Sequence, residues 1–159
     1  MVMNRTQFIG AKIQSGNDIF FAEEHRAIST TFHMMREVIE ASYPIDAISL
    51  EMPHALQPLI DEVAAGGSNP EKFALEARIA QEQDYLDAAV SLFQSGRLSE
   101  EEFNGYEAFI NARVASVLSG DGAAYTLEDR ERDMEAYTSL HTLIEAASNR
   151  DVPVFATDI

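Results

Sequence analysis

Two hydrophobic patterns alternate along the chain: short apolar runs, and longer stretches in which apolar residues recur at helical spacing. Short runs bounded by turn residues are typical of β-strands. They predict strands at about 6–13, 18–22, 46–51 and 152–156. The first two runs are separated by a turn sequence at 14–17, whose glycine and asparagine tolerate positive φ. The pattern therefore predicts an N-terminal β-hairpin.

The longer stretches predict helices at about 29–43, 53–65, 71–94, 99–119 and 126–148. Two of them carry N-terminal capping signals, which are Ser99 with Glu102 in the S-x-x-E pattern, and Thr126. Apolar residues of the helix after Ser99, including Tyr106 and Phe109, are expected to line one side of it. The segment 71–122 is longer than a crossover between strands requires, so we interpret it as a helical excursion, either an insertion or a cap over a site.

Strands separated by helices favour parallel pairing with right-handed crossovers. The predicted fold class is α/β, with a parallel or mixed sheet of βα units, an N-terminal hairpin and a long helical excursion. Residues 1–159 are expected to form one domain, or a fragment of a larger one. The last strand is expected to be a sheet edge, and unprotected edges favour pairing, so we predict a homo-oligomer formed through it.

The charge balance narrows the classes of partner. The chain has 27 acidic and 11 basic residues, a formal net charge of -16, and no cysteine. Nucleic acids and anionic lipid require clustered basic residues, so neither is an expected partner. The absence of cysteine excludes disulfides and thiolate chemistry. No apolar run reaches the length of a transmembrane span. A cytoplasmic location is the default expectation, with secretion as a toxin or effector without a signal peptide as the alternative.

Acids and histidines follow three of the predicted strands. In open α/β sheets, ligands bind beyond the carboxyl ends of the strands. Carboxylates and imidazoles collected there can share acid–base work or bind a divalent metal. For each residue the alternative is an ordinary solvated charge or a structural histidine. His33 lies within the first predicted helix and is not expected to have a functional role, and His141 is expected to be a surface residue of its helix. The candidate site residues are Glu23, Glu24 and His25 after the strand at 18–22, Glu51 and His54 after the strand at 46–51, and Asp158 after the last strand.

The segments 20–25 and 48–52, together with the tail 151–158, resemble a broad superfamily. It includes the ChaN-like haem-binding lipoproteins, the TraB and Tiki proteins, the erythromycin esterases and a domain of some large bacterial toxins. Those proteins share a strand ending in a G-E-x-H-like motif and a second strand ending in glutamate. Glu23 and His25 match the first motif and Glu51 matches the second, although Ala22 stands where the family usually has glycine.

The resemblance implies one of two activities, and the residues leave a third role open. In the first, the protein is a hydrolase, either metal-dependent or assisted by histidine and glutamate. Glu23, His25 and Glu51 are then catalytic residues or metal ligands. In the second, the protein binds haem or another ligand, with His54 and Asp158 as further contacts. In the third, it is a non-catalytic toxin or effector domain. No nucleotide-binding loop, serine-hydrolase elbow or zinc-protease motif occurs in the sequence.

Overall fold

The computed structural model describes residues 4–19, 28–120 and 122–157. In these ranges the chain forms six α-helices, one short 3-10 helix and two strands. In chain order they are α1 (Arg5–Gln14), α2 (Ile28–Glu40), β1 (Ile48–Glu51), the 3-10 helix (His54–Leu56), α3 (Gln57–Ala64), α4 (Pro70–Gln94), α5 (Glu100–Ser119), α6 (Leu127–Ser148) and β2 (Val154–Thr157).

The predicted α/β fold class is wrong, because the described part of the chain is mostly helical and its sheet has two strands. The N-terminal hairpin is also wrong, since 6–13 lies within α1. The reason is local. The Asn4 side chain accepts a hydrogen bond from the Gln7 backbone N–H at 2.8 Å, and the Gln7 side chain accepts one from the Asn4 N–H at 3.1 Å. This capping box satisfies amide groups at the start of a helix, a signal that the strand interpretation overlooked. The predicted strand at 18–22 extends beyond the described residues.

The two strands that form are neighbours in parallel, as predicted for these two segments. Ile48 lies opposite Val154 and Glu51 opposite Thr157. Burial alternates along both strands, so that Ile48 and Leu50 face the core while Ser49 and Glu51 face outwards. One face of the pair therefore packs on the helices, and the opposite face carries polar side chains together with the exposed Phe155. The connection from β1 to β2 runs through the 3-10 helix and α3–α6.

Helix α6 lies at the centre of the core. Its residues Leu140, Leu143, Ile144 and Ala147 have no exposed surface. This helix packs against α2, α3 and α4, so apolar side chains from several elements share one cluster with the buried face of the strand pair. Each fully buried leucine or isoleucine side chain contributes about 1.5–3 kcal/mol to folding.

The helical excursion forms a hairpin of two long helices. α4 begins after the Asn69 cap and α5 begins after the predicted Ser99–Glu102 capping box, which is confirmed. Gly96, with φ of +72°, turns the chain between them. α4 packs on both α5 and α6, so it belongs to the body of the protein, whereas α5 packs chiefly on α4. Among the described residues, no helix combines the length and apolar character needed to cross a membrane.

The outer edge of β2 is covered by a side chain. The Gln57 amide nitrogen donates to the Val154 carbonyl at 3.1 Å, and its amide oxygen accepts from the Ala156 N–H at 2.7 Å. Gln57 therefore provides the donor and the acceptor that a neighbouring strand would supply. Within the described ranges β2 is an edge strand, as predicted, and association of copies through it stays a prediction.

Candidate functional site

The carboxyl ends of the two strands meet at one edge of the sheet. Because the pairing is parallel and in register, the exposed Glu51 lies opposite Thr157. The Thr157 hydroxyl donates to the Leu50 carbonyl at 3.0 Å, and the Ser49 hydroxyl lies 2.9 Å from the same Thr157 oxygen. A hydroxyl has one proton, so Ser49 is the donor in the second bond. These bonds fix the polar face of the strand pair at its carboxyl end.

Beyond Glu51 the chain turns at Pro53, whose ψ of 136° lies outside the helical region, and enters the 3-10 helix at His54. Both Glu51 and His54 are exposed. A carboxylate on an ordered strand end and an imidazole three residues later are both accessible from solvent. This is the part of the predicted constellation that the structure describes.

Four of the predicted site residues lie outside the described residues, namely Glu23, Glu24, His25 and Asp158. The expectation that Glu23, His25 and Glu51 share a ligand therefore stays a prediction. In the part of the chain that the structure describes, no group of three or more acids, histidines or cysteines is arranged to hold a metal ion. The described residues supply a single carboxylate at this edge and not a metal cage.

Cavities border the described elements beside β2 and beside α4. The larger, about 450 Å³, lies beside β2 and is lined by Ile60, Ile144, Val152 and Phe155, among others. The smaller, about 60 Å³, lies between α4 and the start of α6 and is lined in part by Arg78 and Tyr125. A histidine that ligates haem must face the haem pocket. No histidine lines either cavity among the residues described, so these cavities add no support to the haem hypothesis.

His141 was expected at the surface and is instead only 2% exposed. Its Nε2 lies 3.2 Å from the Ser68 carbonyl oxygen, and because a carbonyl only accepts, Nε2 is the donor of this hydrogen bond. The ring meets Phe73 edge-on at a centroid distance of 5.9 Å. Nδ1 lies 3.4 Å from the Glu145 carboxylate. The prediction was wrong because His141 lies on the buried side of α6, beside Leu140 and Ile144. The histidine joins α6 to the loop before α4.

The buried residue that sequence reasoning missed is Glu82, which has no exposed surface. One carboxylate oxygen accepts from Arg78 on the same helix and from Arg113 Nε on α5, the latter at 2.9 Å. Arg78 also lies 3.6 Å from Asp133 on α6, and Asp133 accepts from the Tyr125 hydroxyl at 2.9 Å. The cluster links α4, α5, α6 and the segment between the last two. We call these five residues the Glu82 network.

Burial controls the protonation chemistry of this network. Desolvation raises the pKa of Glu82 against the opposing effect of Arg78. Burial and the hydrogen bond to Asp133 raise the pKa of Tyr125, so the phenol stays protonated and remains a donor. Two carboxylates balance two guanidinium groups, but Glu82 Oε2 and Arg78 Nε are buried without a hydrogen-bond partner among the described residues. The i,i+4 pair of Arg78 and Glu82 is visible in the sequence, but it resembles any solvated helix pair.

Comparison of the chain with protein-family models, with curated proteins and with solved structures finds no match. The resemblance to the ChaN, TraB and Tiki superfamily accordingly stays a prediction.

Proposed function

We propose that the protein is a hydrolase whose site forms at the carboxyl edge of the β1–β2 pair. The observation that carries the proposal is the in-register parallel pairing, which sets the exposed Glu51 at the same sheet edge as Thr157. Ligands of α/β proteins with parallel strands bind at such an edge, where side chains from separate strands converge.

Glu51 is assigned as the general base. An ionised carboxylate at an exposed strand end can accept a proton from water while the water oxygen bonds to a carbonyl or phosphoryl centre. His54 is proposed as the group that returns a proton to the leaving group, since the ring nitrogens of an imidazole can donate as well as accept. Glu23, His25 and Asp158 are proposed to complete the site, on the ground of the motif match. A divalent metal bound by Glu23, His25 and Glu51 remains the alternative within this proposal.

The test is hydrolysis of a panel of chromogenic carboxylic and phosphate esters by the full chain, with and without added Mg²⁺, Mn²⁺ or Zn²⁺. Replacing Glu51 with Gln removes the charge and keeps the shape. We expect turnover to fall by about 10²–10⁴-fold, the usual contribution of a general base. Loss of activity in EDTA with recovery on one added metal would select the metal-dependent form.

The matched control is Asp46→Asn, which removes the same charge from an exposed residue just before β1, at the opposite end of the strand. This variant should keep wild-type turnover. Equal activity in Glu51→Gln and wild type, or no turnover above buffer with any ester, would contradict the proposal.

A further inference from the structure

The larger cavity, which we call the β2 cavity, has the size of a small-molecule site. Its volume is about 450 Å³, and pockets that hold small organic ligands span about 300–1,000 Å³. Residues of α3, the last turns of α6 and the segment 151–155 surround it. The cavity therefore lies where two helices and the edge strand meet.

Part of the lining is apolar and belongs to the core. Ile60 of α3 and Ile144 of α6 border the cavity and are almost fully buried by their other contacts. Val152 and Val154 border it from the strand side and are buried as well. The apolar body of a ligand would add contacts to these side chains and leave water, which is favourable.

Phe155 adds an aromatic ring to this lining. Its neighbours Val154 and Ala156 are buried, so the Phe155 side chain stands on the outward face of the strand pair, where it is 47% exposed. The face of an aromatic ring carries partial negative charge and attracts cations, ammonium groups of ligands among them.

The ionisable side chains of the cavity have one sign. They are Asp61 and Asp151, and no lysine, arginine or histidine lines the cavity within the described ranges. The adjacent Arg150 is directed elsewhere, because its Nη1 donates to the Ile39 carbonyl at 2.6 Å. Anions are recognised by guanidinium, ammonium or backbone amide groups, so this lining disfavours an anionic ligand.

The helix ends favour a cation independently of these side chains. Ala64 is the last residue of α3 and Ser148 the last residue of α6, and both line the cavity. Both helices thus reach the cavity at their C-termini, where the aligned peptide dipoles leave partial negative charge. Carboxylates, an aromatic ring and two helix C-termini all select the same sign of ligand charge.

Hydrogen bonds between the walls fix the shape of the cavity. The Gln57 amide nitrogen donates to Asp61 Oδ1 at 2.8 Å, and the same side chain is bonded to the backbone of β2. The Ser148 hydroxyl donates to the Ala64 carbonyl at 2.8 Å and joins α6 to α3. A site that is formed in advance loses little conformational entropy when its ligand binds.

We propose that the β2 cavity binds a small organic cation, which consists of an ammonium group on an apolar, ring-sized body. The apolar body contacts Ile60 and Val154, and the ammonium group lies between the Phe155 ring and the two aspartates. This function is separate from the hydrolase site, because the cavity lies alongside β2 whereas Glu51 lies at the carboxyl end of β1.

The experiment is an amide NMR titration of the full chain with three probes that share one naphthyl ring. The probes are naphthylmethylammonium, naphthylmethanol and naphthoate, which carry a positive, a neutral and a negative group. The ammonium should bind about five- to tenfold more tightly than the alcohol, and naphthoate should bind most weakly. The largest shift changes should fall within 57–64 and 148–157.

Charge variants test the role of the two aspartates. Asp61→Asn with Asp151→Asn should lower the affinity for the ammonium about tenfold and leave the alcohol unchanged. Both residues are exposed, so the variant should keep the wild-type circular dichroism spectrum. The control is Asp87→Asn with Glu107→Gln, which makes the same change in net charge at exposed positions of α4 and α5 and should leave both affinities unchanged.

A ring variant tests the role of Phe155. Phe155→Leu keeps an apolar side chain and removes the aromatic face, so it should weaken the ammonium more than the alcohol. Tight binding of naphthoate, no binding of any probe, or shift changes centred outside the two ranges would overturn the proposal. Equal ammonium affinity in wild type and the aspartate variant would do so too. None of these outcomes depends on ester turnover, so the cation site is tested apart from the hydrolase proposal.

Discussion

The Glu82 network should be a major determinant of stability, and Glu82→Leu tests this. The substitution keeps similar volume but leaves two guanidinium groups without their shared carboxylate. Removing one partner of a buried ion pair costs about 3–5 kcal/mol. The structure favours the lower end of that range for two reasons. Arg78 retains Asp133 at 3.6 Å, and the Arg113 side chain is 24% exposed, so it can turn towards solvent. We expect a loss of about 3 kcal/mol in the free energy of unfolding.

Urea unfolding followed by circular dichroism measures this loss. With a urea dependence of about 2 kcal/mol per molar for a domain of this size, the midpoint should fall by about 1.5 M. Glu107→Leu is the control. It makes the same change at an exposed position of α5 and should alter stability by less than about 0.5 kcal/mol.

A triple variant tests whether the loss of stability in Glu82→Leu comes from the missing ion pairs themselves or from the two buried arginine charges that this variant leaves unpaired. Arg78→Met, Glu82→Leu and Arg113→Met together remove the three charges that meet at the Glu82 carboxylate and leave Asp133 with the Tyr125 hydroxyl. Stability should return to within about 1 kcal/mol of wild type, because buried ion pairs and well-packed apolar side chains are often nearly equivalent. An unchanged urea midpoint in Glu82→Leu would refute the assignment of a buried ion pair. A triple variant as unstable as the single one would show that packing, and not charge, is responsible.

Three further predictions concern local structure. Gly10→Ala should lower the free energy of unfolding, measured by thermal unfolding, by about 1–3 kcal/mol, because a Cβ at this position would overlap the Tyr43 ring. Gly105→Ala should raise the free energy of unfolding by about 0.5–1 kcal/mol, because its Cβ meets open space and alanine favours a helix more than glycine. Gln57→Leu should leave the Val154 carbonyl and the Ala156 N–H without their side-chain partner and lower the free energy of unfolding by about 1–3 kcal/mol. The uncovered edge should also increase light scattering at high protein concentration, and unchanged scattering would argue against edge protection. Ser99 hydrogen bonds lower the pKa of Glu102, so its stabilising contribution is full above the unfolded pKa and is lost as pH falls through the folded pKa. Glu102→Gln should therefore lose less stability than wild type on acidification, and parallel pH profiles would contradict this.

Glu82 has the opposite linkage to Glu102. Its folded pKa is raised by burial, so protonation is favoured in the folded state. The stability that comes from protonating Glu82 in the folded state is full below the unfolded pKa and is lost as pH rises through the folded pKa. Among the described residues, carboxylates whose pKa is lowered, such as Asp129 and Glu102, contribute to acid sensitivity.

Several features follow from local sequence alone. The capping box at Ser99 and the cap at Thr126 were predicted from the sequence because a cap and its partners are local, and both are confirmed. The parallel neighbours β1 and β2 were predicted from their short apolar runs separated by helices. Glu51 was likewise placed correctly at the end of β1, because a strand end is a local feature.

Other features were decided only by tertiary structure. A helical stripe shows which residues share a side, but not whether a second helix covers that side. Tyr106 is exposed and His141 buried for this reason. Glu82 became a buried charge because α5 brings Arg113 beside it, a contact between residues 31 positions apart. Burial depends on how whole elements pack, and no local pattern contains that information.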